Sequence, residues 1–218
     1  MKRRPPERHT TFFNLMDAMA EKGCALCRLV AKAEHDSLDS LLYENANDPG
    51  TRGAMSASRG FCAAHAELAT HMSDAFGIAM LYEALCREAA GRITGGLTLE
   101  AAKPCPICRA ATDAEDRHIG EFCLRMSEPD FRERFLASEG FCLPHFQKVA
   151  AMIRDKAIGE IVRAHEAATL LALADQLRVF IDKHDYKRPA TFGAEATAWL
   201  RALEKFSGKE IDDGSSAR

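Results

Sequence analysis

The chain reads as an all-α protein built from two pseudo-repeats of a helical C-x-x-C/C-x-x-H metal-binding unit, followed by C-terminal helices. Three observations predict this. Apolar residues recur at i, i+3, i+4 and i+7 over most of the length. The pattern S-x-G-F-C-x-x-H occurs at Ser58–His65 and again at Ser138–His145. Each copy follows a cysteine pair, Cys24 with Cys27 and Cys105 with Cys108, so each repeat gathers three cysteines and one histidine.

Taken in order, Phe12, Leu15, Met16 and Met19 form one apolar stripe on a short helix that Gly23 can end. After the first cysteine pair, Leu26, Leu29, Val30, Ala33, Leu38, Leu41 and Leu42 continue a helical pattern with one slip near Ser37. Asn47-Asp48-Pro49-Gly50 breaks it. A short helical piece then leads to Gly60, placed as a C-terminal cap directly before Phe61 and Cys62. A helical stretch beyond His65 runs toward Phe76-Gly77, and Ile78, Leu81, Tyr82, Leu85 and Ala89 make a further amphipathic face. Thr94-Gly95-Gly96 is the joint between halves.

The second half repeats the plan, with Ile107 to Met126 helical, Ser127-Glu128-Pro129-Asp130 as the break and Phe131 to Ala137 as the short piece. A long helix is expected from about Ile158 to Asp185, stopped by Lys187-Arg188-Pro189. A last helix carries Ala196, Trp199, Leu200, Leu203 and Phe206 on one face, before a polar tail expected to be disordered. The resulting divisions are 1–22 as N-terminal tail and short helix, 23–96 and 97–155 as the two metal-binding repeats, 156–206 as helices packed on them, and 207–218 as tail.

The duplication is legible residue by residue. A shift of 81 superposes Cys24, Cys27, Arg28, Ala33 and Glu34 on Cys105, Cys108, Arg109, Ala114 and Glu115. A shift of 80 then superposes Pro49, Arg52, Ala57, Ser58, Gly60, Phe61, Cys62 and His65 on Pro129, Arg132, Ala137, Ser138, Gly140, Phe141, Cys142 and His145. Turn residues match as well as cysteines, which makes coincidence a poor explanation.

The candidate metal ligands are Cys24, Cys27, Cys62, His65, Cys105, Cys108, Cys142 and His145. Ligands three apart at the start of a helix share one face, and helix N-termini favour thiolate over thiol. Two zinc ions are the expected cofactors, since zinc takes four sulfur and imidazole ligands. An iron-sulfur cluster or a thiol-disulfide switch at the same cysteines is the alternative. Contour lengths allow Cys24-Cys27 to meet Cys62-His65 within one repeat, though nearly taut, and closure within repeats is the expected pairing. The swapped pairing, with Cys24 and Cys27 beside Cys142 and His145, is the competing one. Cys86 and Cys123 are assigned to ordinary core packing. His35, His71, His118, His165 and His184 are assigned to the surface or to positions behind the ligands.

A net charge of -3 argues against a nucleic-acid binder driven by bulk electrostatics. The basic start, Lys2, Arg3 and Arg4, is followed by Asn14, Asp17, Glu21 and Lys22, which interrupt any signal-peptide core, and no apolar run approaches a membrane span. A soluble cytoplasmic protein is expected, in which C-x-x-C pairs mean metal or redox chemistry before disulfides. A hydrolytic zinc enzyme needs an open coordination position, whereas every site here has its fourth ligand. The expected role is a structural zinc module with a protein partner.

The duplicated C-x-x-C-R and S-x-G-F-C-x-x-H units, with Phe180 to Tyr186 and Trp199-Leu200-Arg201-Ala202, resemble a bacterial family of unknown function, the one catalogued as DUF6062. The similarity spans roughly Gly23 to Phe206. It implies the same ligand positions and supplies no reaction. Cys24-Ala25-Leu26-Cys27 lacks the proline of Cys105-Pro106-Ile107-Cys108, which makes the first knuckle less rigid.

Overall fold

The computed structural model describes residues 7–72, 74–184 and 191–208. The basic start at Lys2 to Arg4, the helix stop at Lys187 to Pro189, the end of the Phe180–Tyr186 motif and the tail beyond Gly208 lie outside the described residues. Among the described residues every regular element is helical: α1 (Thr10–Ala18), α2 (Ala25–Asp39), a π-turn (Ser40–Glu44), α3 (Pro49–Ser58), α4 (Ala63–Thr70), α5 (Ala75–Thr94), α6 (Pro106–Arg125), α7 (Pro129–Leu136), α8 (Leu143–Met152), α9 (Lys156–Lys183), a 3-10 turn (Ala194–Thr197) and α10 (Ala198–Ser207). None of these helices is long and apolar enough to cross a membrane.

Local chemistry sets the helix starts. Pro49 and Pro129 each open a helix, where the missing N–H costs nothing and φ is already helical. The Asp48, Asp74 and Asp155 carboxylates accept from the backbone N–H groups of Thr51, Gly77 and Ala157 respectively. Phe76 and Gly77 therefore lie in the first turn of α5, not at the end of the preceding helix. The slip in apolar spacing near Ser37 is absorbed by the π-turn, whose wider repeat turns Leu41 and Leu42 inward. At the end of α3 the left-handed cap is Arg59, at φ 60, with Gly60 at φ 94 directly after it, so the reversal takes two residues.

The chain divides into two compact units whose boundaries fall inside α2 and α6. One holds the described residues up to Leu29 and those from Glu115 onward; the other is Val30–Ala114. The first unit is built on α1, the start of α2 and the chain from Glu115 onward. Phe12, Leu15, Leu26 and Leu29 pack in one cluster with Phe122, Phe131, Phe135, Phe141 and Val162. The Phe122 ring centroid lies 5.0 Å from that of Phe135 and 4.9 Å from that of Phe141, both edge-on. Arg125 is buried beside this cluster, its guanidinium donating to Glu121 at 2.7 Å, Glu128 at 2.7 Å and the Glu7 carbonyl at 2.6 Å. A buried charge is tolerated when its donors are met by acceptors in this way. The second unit packs Leu38, Leu41, Leu42, Met55, Ala69, Leu81 and Ile107 together.

The apolar face expected on the last helix is largely turned to solvent: Trp199, Leu203 and Phe206 are exposed, while Ala198 is fully buried. Cys123 packs against the first core as expected, and burial pushes its thiol above the ordinary range. Cys86 corrects the sequence reading. It is exposed on α5 and belongs to neither core. His118 is buried, while His165 lies half-buried, edge-on to Phe135 with centroids 4.7 Å apart.

Candidate metal centres

All four ligand pairs share one backbone device. The carbonyls of Cys24, Cys62, Cys105 and Cys142 accept the N–H of Arg28, Ala66, Arg109 and Phe146, at 3.2, 2.8, 3.1 and 2.8 Å. Each of these cysteines thus caps a helix, and the second ligand of its pair sits three residues on, within the first turn. This is the spacing at which two side chains turn back to one point over a helix N-terminus. The expectation that both half-sites lie at helix starts is met at all four.

The pairs meet in two clusters. Cys24, Cys27, Cys142 and His145 form the first, and Cys62, His65, Cys105 and Cys108 the second; within each, one ligand atom per residue lies within 4.8 Å of all the others. The expected closure within each repeat is therefore overturned: each cluster joins the C-x-x-C of one repeat to the C-x-x-H of the other. Two physical reasons decide it. Ten residues of the return path, Pro49–Ser58, are spent in the compact helix α3, which packs on α5, so the contour is not spent running back along α2. The start of α2 also buries Leu26 and Leu29 among the second repeat's phenylalanines, which holds Cys24 and Cys27 beside Cys142. A contour-length estimate sets only what can be reached.

The spacings suit a single ion. In the first cluster His145 Nδ1 lies 3.5, 3.3 and 3.0 Å from the sulfurs of Cys24, Cys27 and Cys142, and the Cys27 and Cys142 sulfurs are 3.6 Å apart. In the second, His65 Nδ1 lies 3.1, 3.7 and 3.3 Å from Cys62, Cys105 and Cys108, and the Cys62 and Cys108 sulfurs are 3.6 Å apart. A tetrahedron with zinc–sulfur and zinc–nitrogen bonds of ordinary length has edges of about 3.5–3.8 Å. The eight cysteines are free thiols.

Crowding makes the thiols compete for charge. Cys142 and Cys27 hold the Cys24 thiol well below the ordinary range, while Cys142 and Cys24 push Cys27 well above it. In the second cluster burial raises Cys62, but the His65 backbone N–H and the Cys108 thiol outweigh it and bring it to about 7. Burial and the Cys62 thiol push Cys108 up to about 12. One thiolate is stabilised by protons kept on its neighbours, and a cation at the centre is what would let all three ionise.

Two further residues complete the sites. His65 Nε2 lies 3.1 Å from Glu34 Oε1, and His145 Nε2 lies 3.0 Å from Glu115 Oε1. With Nδ1 turned to the sulfurs, Nε2 keeps the proton and donates it to the carboxylate, which fixes both tautomer and ring orientation. Lys148 donates in turn to Glu115, at 2.6 and 2.7 Å. Glu34 and Glu115 were already superposed by the repeat, and that was the signal available for them.

The backbone leading into each C-x-x-H is also held. The Phe61 N–H donates to the Tyr82 hydroxyl at 3.1 Å, and the Phe141 N–H to Glu166 Oε1 at 2.6 Å. Glu166 is 2% exposed and pairs with Lys205 at 2.9 Å. Gly140, at φ 73, is required twice over, because a Cβ there would stand 2.5 Å from Glu166 Oε1.

A model of the family described as a family of unknown function (DUF6062) matches the chain twice, over residues 8–103 and 96–213. The resemblance and the duplication drawn from the motifs are both borne out by these matches. No curated protein and no solved structure matches.

Proposed function

We propose that the chain, which belongs to the DUF6062 family of unknown function, is a structural metalloprotein holding two zinc ions, one in each Cys3His cluster, and serving as an interaction or regulatory module with a protein partner. The carrying observation is that four ligand atoms converge within 4.8 Å of one another, twice, with each ligand histidine backed by a glutamate. Four protein ligands close the coordination sphere, which suits a structural ion and leaves no open position for hydrolytic chemistry.

The spacing also weighs against the alternatives. A polynuclear iron-sulfur cluster spreads its ligands around several irons, further apart than the 4.8 Å within which all four ligand atoms of each cluster lie. The Cys27–Cys142 and Cys62–Cys108 sulfur contacts, at 3.6 Å, are well beyond the ~2.05 Å of a disulfide and join cysteines of different pairs. Free thiols at all eight cysteines suit a reducing, cytoplasmic compartment. The net charge of -3 favours a protein partner over nucleic acid.

Metal analysis of anaerobically purified protein, with its absorption spectrum, tests this. Two zinc ions per chain without visible absorption is the expected result. Brown protein containing iron and sulfide would replace zinc by the cluster reading.

A further inference from the structure

A cavity of about 780 Å3 opens in the first unit. Chain segments far apart in sequence converge on it, including Phe141, Leu173, Gln176, Thr197, Leu200 and Arg201. The volume lies within the ~300–1,000 Å3 range of small-molecule sites, and its wall mixes apolar side chains with charged ones of both signs, Glu21, Glu139 and Glu204 among them. The Trp199-Leu200-Arg201-Ala202 motif, which the metal centres leave unused, supplies two of these residues.

Arg201, like the half-buried Arg132, which donates to the Met126 carbonyl, differs from three shielded cations of this unit that are paired with carboxylates. Arg125 is paired with Glu121 and Glu128, Lys183 with Glu195 and Lys205 with Glu166. The half-buried Arg201 donates through Nη2 to the Gln176 amide oxygen and to the Ala194 carbonyl, both neutral, and its buried Nε has no hydrogen-bond partner. No described carboxylate pairs with it. A shielded guanidinium without counter-charge is costly, and an anion entering the cavity would supply that charge.

We propose that this cavity binds a small organic monoacid, its carboxylate at Arg201 and Thr197 and its apolar body against Phe141, Leu173 and Leu200. One half-buried unpaired cation matches a single negative charge; a polyphosphate would need several. The inference goes beyond the metal reading, although Cys24, Cys27 and Cys142 of the first cluster line the same cavity.

Hexanoate, hexan-1-ol and hexylammonium are titrated separately into full-length protein whose metal content is measured in the same samples. Trp199, the one tryptophan in the chain, reports through its emission, and the melting temperature gives a second readout. Hexanoate should bind saturably and raise the melting temperature, with the alcohol and the amine weaker by roughly tenfold or more. Arg201→Gln should weaken hexanoate by a similar factor at unchanged metal content, and Arg201→Lys should restore part of it. Ala194→Phe, at an exposed position of the cavity wall, should weaken hexanoate while leaving Arg201 in place. The proposal is overturned if hexanoate does not bind saturably, if hexan-1-ol binds equally well, or if either Arg201→Gln or Ala194→Phe leaves hexanoate binding intact.

Discussion

Glu34 Oε1 lies 3.1 Å from His65 Nε2, although the cysteine pair that opens the same helix, Cys24 and Cys27, belongs to the other cluster. Glu115 repeats the relationship with His145, on a helix opened by Cys105 and Cys108. Each of α2 and α6 thus supplies thiols to one cluster and an orienting carboxylate to the other. Glu34→Ala should weaken metal binding at the second cluster by about 10–100-fold and leave the first unchanged. Competition with a chromophoric chelator measures both affinities; equal losses at the two clusters would contradict the assignment.

Two glycines should respond in opposite directions. Gly140→Ala forces a Cβ into the Glu166 carboxylate at positive φ and should destabilise the protein by at least ~1 kcal/mol. Gly53→Ala, inside α3 with nothing within 4 Å of the new Cβ, should stabilise it by ~0.5–1 kcal/mol. Thermal melts of the metal-loaded variants check both signs.

The helical class, the duplication and all eight clustered residues were readable because they depend on local spacing: the 3.6-residue period and ligand pairs three apart. Pairing was not, since contour length permits either arrangement and the choice is made by burial of Leu26 and Leu29 among phenylalanines more than 90 positions away in sequence. The Glu34 and Glu115 matches were visible in the repeat, but only the folded helices show the histidines they reach. Cys86 was misplaced because an amphipathic period locates an apolar face without fixing its edges, and a small thiol at the edge is tolerated in water. Arg125 had no sequence signal, because its burial depends on three acceptors assembled around it.

Thiol labelling should separate the cysteines by role. With metal bound, iodoacetamide should modify Cys86 first, Cys123 only when the first unit opens, and the six ligand cysteines only after metal loss. Peptide mass spectrometry against time gives the order. Early modification of Cys142 in metal-loaded protein would contradict its place as a ligand.

Removing the metal should unfold much of the chain. Structural zinc can contribute on the order of 10 kcal/mol of apparent binding free energy, comparable with a whole domain's stability. A strong chelator should therefore lower the melting temperature and the helical circular dichroism, both restored by zinc under reducing conditions. Protons compete with the metal in a defined direction. Cys108, raised to about 12 by burial and Cys62, carries its proton at neutral pH in the absence of metal, and Cys62, at about 7, is partly protonated there. Metal uptake must expel these protons, so affinity falls as pH is lowered through 7. Calorimetry in buffers of different ionisation enthalpy should show proton release on zinc binding; a buffer-independent enthalpy would contradict it.

The crossed metal centres are tested most directly by counting metal in paired variants. Cys27→Ala combined with Cys142→Ala removes two ligands from one cluster and should leave one metal ion per chain. Cys27→Ala combined with Cys62→Ala removes one ligand from each and should leave close to none. Elemental analysis of both proteins, purified anaerobically side by side, decides the pairing. The reverse outcome, with one ion retained by the Cys27/Cys62 variant and none by the Cys27/Cys142 variant, would mean that each repeat closes its own site.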